Sequence, residues 1–81
     1  MRKIKSFTEL YHALRGSSKA EAIELAKANS ELRCSYSSTF CDEYIKEQAE
    51  AGNSEGVLGN NYVPNDLIDI ANMWKRACKH F

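Results

Sequence analysis

Apolar positions recur along this chain in blocks of helical period, divided by short polar punctuation. In the first block Phe7, Leu10, Tyr11 and Leu14 fall at i, i+3, i+4 and i+7, one face of a helix. Ser6-Phe7-Thr8-Glu9 stands in capping-box order: Ser6 is expected to accept from the backbone at Glu9 while Glu9 reaches back. Arg15 suits the last turn and Gly16 the position just beyond it. A helix this short must be held by packing more than by propensity.

The second block repeats the signal. Ser18-Lys19-Ala20-Glu21 is another capping box, and Ala22, Leu25, Ala26, Asn29 and Leu32 form a stripe with Ile23 beside it. Alanine on that stripe keeps the helix thin, so a neighbour can approach closely. Glu24 with Lys27, and Lys27 with Glu31, sit outside; each pair adds ~0.2–0.5 kcal/mol. Residues 34–38 (CSYSS) break the pattern, because serines compete with helical backbone and favour caps and turns. Ser38 or Thr39 is the expected cap of a third helix, with Phe40, Cys41, Tyr44, Ile45 and Gln48 on its face. Asp42 would lie in its first turn and Gly52 would end it.

Residues 53–64 (NSEGVLGNNYVP) read as one long loop containing Gly and Asn. Val57, Leu58, Tyr62 and Val63 are too apolar for a solvated linker, so the loop should cross the core or meet a partner. Asn65 is the expected cap of the last helix, with Asp66 in its first turn. Leu67, Ile70, Ala71, Trp74, Ala77, Cys78 and Phe81 then make the clearest stripe in the chain. Asp69, Asn72, Lys75, Arg76 and Lys79 occupy the opposite side. Met1–Lys5 could form a short edge strand, but no other stretch alternates with period two to pair with it. The expected fold is all-α: one domain over residues 1–81, a compact bundle of four helices with a short first helix.

Size narrows the function. A domain of 81 residues buries only ~60% of the surface its unfolded chain exposes, so its large apolar side chains are needed for the core. Little room remains for a deep pocket of ~300 Å³ or more. No apolar run approaches the ~20 residues of a membrane span, and no apolar segment follows the basic Met1–Phe7 as a secretory signal requires. Cys34, Cys41 and Cys78 are odd in number, which suits reduced thiols in a cytoplasm.

Net charge is zero, from 11 Lys and Arg against 11 Asp and Glu, but the charges are segregated. Residues 1–19 carry +4, residues 20–55 carry −5 and residues 56–81 carry +1. A general nucleic-acid binder shows a basic excess that this chain lacks. Helices two and three have the gross shape of a helix-turn-helix, but Asp42, Glu43, Glu47 and Glu50 on the third would repel phosphates.

Catalytic and metal chemistry find little footing. Cys34, Cys41, Cys78 and His80 are zinc-ligand types, but six residues separate the first two, unlike the close pairs of fingers and ribbons. Cys41 and Cys78 also fall on apolar stripes, where a free thiol packs as a small hydrophobe. His12 and His80 have no orienting group or oxyanion donor that would build a nucleophilic pair. No enzyme activity, cofactor or metal is expected.

Surface features carry the remaining candidates. Asp42, Glu43, Glu47 and Glu50 form either a solvated acidic face or a docking surface for a basic partner. Lys75, Arg76 and Lys79 either grip phosphates or complement the helix dipole. Trp74 is core by its stripe and an interface anchor if exposed; Tyr62 is the other candidate anchor. The expectation is a small cytoplasmic protein-binding module, regulatory or inhibitory, that occludes a surface of a larger partner. Short helical accessory proteins of phages and mobile elements share this profile. A homodimer is compatible with it. The alternative is a nucleic-acid-binding or transcription-regulating domain using Arg2, Lys3, Lys5, Lys75, Arg76 and Lys79.

Overall fold

The computed structural model describes residues 3–51 and 64–81. Gly52, Tyr62 and nearly all of the expected loop at 53–64 lie outside the described residues. The fold is all-α: α1 (Phe7–Arg15), α2 (Lys19–Ala28), a 3-10 turn (Ser30–Leu32), α3 (Ser37–Glu50) and α4 (Leu67–Cys78). Among the described residues there is no strand, and residues 3–5 pair with no neighbouring strand.

Both capping signals act where expected, with one shift. Ser18 and Glu21 form the full reciprocal box at the start of α2, at 2.7 and 3.2 Å. Ser6 accepts from the Glu9 N–H at 3.2 Å, but the Glu9 carboxylate reaches one residue further back, to the Lys5 N–H at 2.8 Å.

Three helix boundaries differ from the pattern. α2 stops at Ala28, before its stripe ends: Asn29 still donates its backbone N–H to the Leu25 carbonyl, but its backbone, at φ −128° and ψ 60°, leaves the helical course. Asn29 is fully buried, donates to the Leu25 carbonyl at 2.9 Å and accepts the Ile4 N–H at 2.8 Å. It thereby pins the N-terminal segment under the bundle. α3 begins at Ser37 with Tyr36 as its N-cap, two or three residues before the expected serine or threonine cap, and no side chain caps it. Asp42 therefore sits beyond the first turn. α4 begins after Asp66 rather than Asn65, and the Asp66 carboxylate does not cap it. That carboxylate is engaged by Tyr11 and Arg15 of α1, at 2.5 and 3.3 Å.

α4 is the central element and packs against α1, α2 and α3. Its stripe of Leu67, Ile70, Ala71, Trp74 and Ala77 is buried, with Trp74 fully so. Phe81, predicted to continue that stripe, falls beyond the end of α4 and is 53% exposed. The indole N–H of Trp74 donates to the Leu32 carbonyl at 2.8 Å, which locks the 3-10 turn onto α4. Ala22 and Ala26 are the buried face of α2, so small side chains let α4 come close.

α1 meets α3 through two aromatic contacts one helical turn apart. Phe7 packs edge-on to Phe40 with ring centroids 5.5 Å apart, and Tyr11 packs on Tyr44 at 5.3 Å. Edge-to-face pairs of this kind add ~0.5–1.5 kcal/mol beyond their buried area. The buried residues form one cluster that draws on every helix.

Candidate functional site

The nine sequence-level candidates separate into distinct environments. Trp74 is spent in the core and cannot anchor a partner while the domain is folded. Tyr62 lies outside the described residues. Asp42 and Glu50 are exposed on α3 and Glu43 is half-buried. Glu47 is not part of a solvated face. Its carboxylate accepts from the Phe7 and Thr8 N–H groups at 2.8 Å each and from the Thr8 hydroxyl at 2.9 Å. The acidic face is thus reduced to Asp42, Glu43 and Glu50, and Glu47 ties α3 to the N-terminus of α1.

The basic side of α4 is divided as well. Arg76 faces a groove between α2 and α4, Lys79 faces a cleft at the C-terminal end, and half-buried Lys75 lines neither.

The C-terminal cleft holds about 460 Å³ and is lined by Arg33, Cys34, Ser35, Cys78, Lys79 and Phe81. The Arg33 guanidinium lies 4.1 Å from the Phe81 ring centroid, while its Nε–H donates to the Ala26 carbonyl at 2.9 Å. Arg33 therefore satisfies an orphan carbonyl in the last turn of α2 and stacks on the ring at once. Burial pushes the Cys34 thiol up to about 11, with Cys78 and Glu43 adding to the shift. Burial likewise raises Cys78, against the Cys34 backbone and Arg33, which lower it. These are protonated, packed thiols rather than nucleophiles. Among the described residues no three ligand-type side chains converge on a metal position.

The α2/α4 groove is smaller and differently made. It holds about 240 Å³ and is lined by Lys19, Ala22, Ile23, Met73, Arg76, Ala77 and His80. Ala22 and Ala77 are buried and supply a floor without bulk; Ile23 and Met73 are partly buried on its walls. Lys19, Arg76 and His80 carry its rim. Lys19 stands in the first turn of α2 and Arg76 in the last turn of α4. Neither is ion-paired among the described residues, where the ion pairs are Lys3 with Glu31 and Arg15 with Asp66.

Sequence reading named Arg76 but missed Lys19, Ile23, Met73 and His80 as its neighbours. The available signal was the small residue on each stripe, Ala22 and Ala77, which leaves a depression wherever two helices cross. Nothing local says that these two alanines face each other.

Comparison with known proteins gives no match: no protein-family model, curated protein or solved structure resembles this chain. No helix among the described residues is long and apolar enough to cross a membrane.

Proposed function

We propose that this chain is a small protein-binding module with a regulatory or inhibitory role, acting by covering a surface of a larger partner. The observation that carries the reading is the α2/α4 groove, an apolar floor with a cationic rim. The large side chains Trp74, Phe40, Leu10 and Leu14 are fully buried and so cannot themselves contact a partner. Isolated apolar groups at the surface, Tyr36 at 70% and Ile68 at 49% exposure, add contact area of the kind interfaces use.

Nucleic-acid binding draws less support. A phosphate backbone is gripped by several cations along one track. Here Arg76 and Lys79 open onto separate depressions, and the chain has no net positive charge.

The test is affinity capture from the native host followed by reconstitution with the identified protein. A stoichiometric complex in which the partner loses an activity is the expected result. Tight, salt-sensitive binding to random DNA or RNA, with no protein partner, would overturn it.

A further inference from the structure

We infer that the α2/α4 groove receives an acidic amphipathic helix of the partner, seating its apolar side chains between Ile23 and Met73 while its carboxylates meet Lys19 and Arg76. This rests on the protein-binding reading and names the chemistry of the partner.

Volume sets what can enter. The groove, at about 240 Å³, exceeds the ~150 Å³ apolar cavity that holds a benzene ring. It falls short of the ~300 Å³ at which drug-sized ligand sites begin. It therefore suits roughly one or two side chains offered by a larger body, which is how a helix binds a groove.

Charge sets the sign of that body. The two permanent cations of the lining stand at its rim on different helices, Lys19 on α2 and Arg76 on α4, and among the described residues no carboxylate lines the groove. A basic helix would place like charges against both. Nucleic acid would satisfy the cations but has no aliphatic side chains to cover Ala22, Ile23, Met73 and Ala77. A second copy of the chain is a poor occupant too. Its acid-rich helix is α3, whose apolar residues Phe40 and Tyr44 are already buried in their own core.

The test uses the full chain and three synthetic amphipathic peptides with leucines at i, i+3, i+4 and i+7. Their flanking positions carry Glu, Gln or Lys. Binding is read by fluorescence anisotropy and mapped by amide chemical shifts. The Glu peptide is expected to bind at residues of α2 and α4, and at least tenfold more tightly than the Lys peptide. Arg76→Glu and Lys19→Glu should each weaken it at least tenfold, while melting temperatures move by only a few degrees and in opposite directions, down for Arg76→Glu in the last turn of α4 and up for Lys19→Glu in the first turn of α2. Lys46→Glu, exposed on α3, should leave it unaltered. Failure of the Glu peptide to bind, equal binding of the Lys peptide, or indifference to Arg76→Glu would overturn the inference. So would displacement of the peptide by a random oligonucleotide. A captured partner protein whose affinity ignores Arg76→Glu would remove the groove but keep the protein-binding reading. Groove binding of the Glu peptide without any host protein partner would do the reverse.

Discussion

Glu47 of α3 takes both donors of Thr8 at the start of α1, the backbone N–H at 2.8 Å and the hydroxyl at 2.9 Å. Its other oxygen accepts the Phe7 N–H at 2.8 Å. The first turn of a helix exposes N–H groups without intrahelical partners, and its dipole favours an anion there. A carboxylate from a distant helix thus complements the local Ser6 cap. Glu47→Ala should cost about 2 kcal/mol, between the value of a helix cap and that of a charge-assisted hydrogen bond. In a domain this small that lowers the melting temperature by roughly 10 °C. Glu47→Gln should lose less, since one oxygen still accepts. Glu50→Gln on the exposed side should stay within ~0.5 kcal/mol. Urea denaturation with unchanged m-values measures all three, and equal midpoints for Glu47→Ala and Glu50→Gln would contradict this role.

Trp74 supports the fold in two separable ways, by volume and by one hydrogen bond. Trp74→Ala empties the centre of the core and should cost ~3–5 kcal/mol, most of the stability a domain this small has. Trp74→Phe keeps much of the volume but removes the donor to the Leu32 carbonyl, which is then left with the Cys34 thiol at 3.5 Å. It should cost about 1–2 kcal/mol and loosen the 3-10 turn first. Amide hydrogen exchange at Leu32 and Arg33 reads that loosening. The wild-type indole, being fully buried, should fluoresce at short wavelength and be poorly quenched by iodide. Ready quenching would contradict its burial.

Local interactions made much of this fold legible in advance. Helix starts at Ser6 and Ser18 follow from side chains that bond within three residues, so sequence spacing alone reveals them. The stripe on α4 is readable because one helix buried on three sides needs a wide apolar face. What escaped has a common cause: partners far apart in sequence. Glu47 looks like any exposed acid until Thr8 is placed beside it. Asp66 looks like a capping residue until Tyr11 and Arg15 claim its oxygens. Asn29, like Gln48 a polar residue on an apolar stripe, marks where α2 ends. The groove was half visible, through Arg76, because a depression belongs to two helices and neither sequence segment specifies the other.

The Tyr11–Asp66 contact predicts how stability should vary with pH. Burial first, then the hydrogen bond and charge of Asp66, push the Tyr11 hydroxyl from 10.0 up to about 12. Donation from Tyr11, with help from Arg15, holds the Asp66 carboxyl below its usual value against the opposing effect of burial. A raised tyrosine favours its protonated form in the fold. Its stabilisation is complete below about pH 10 and lost as pH climbs towards about 12. A lowered carboxyl works in reverse, stabilising above its ordinary range and losing that contribution as pH falls through its folded value. Tyr11→Phe should therefore flatten both limbs, while burial of Tyr44, also raised, leaves part of the alkaline loss in place. Urea midpoints across the pH range test this, and unchanged limbs in Tyr11→Phe would refute it.

Thiol chemistry gives a further check on the core. Burial raises all three cysteines, and Cys34 goes from 9.0 to about 11. A rise of that size cuts the thiolate fraction at neutral pH about a hundredfold. The intrinsic nucleophilicity of a more basic thiolate recovers a factor of up to ~10. The net effect is alkylation at least ~10-fold slower than in the unfolded chain, before restricted access is counted. Cys34 is buried while Cys41 and Cys78 are half-buried, so access slows Cys34 most. Under iodoacetamide at constant pH, Cys34 should be the last site modified, and urea should abolish the difference among the three. Mass spectrometry of timed samples follows each site. Labelling of Cys34 at its unfolded rate would mean that the junction of the 3-10 turn and α4 opens far more readily than the Trp74–Leu32 contact allows.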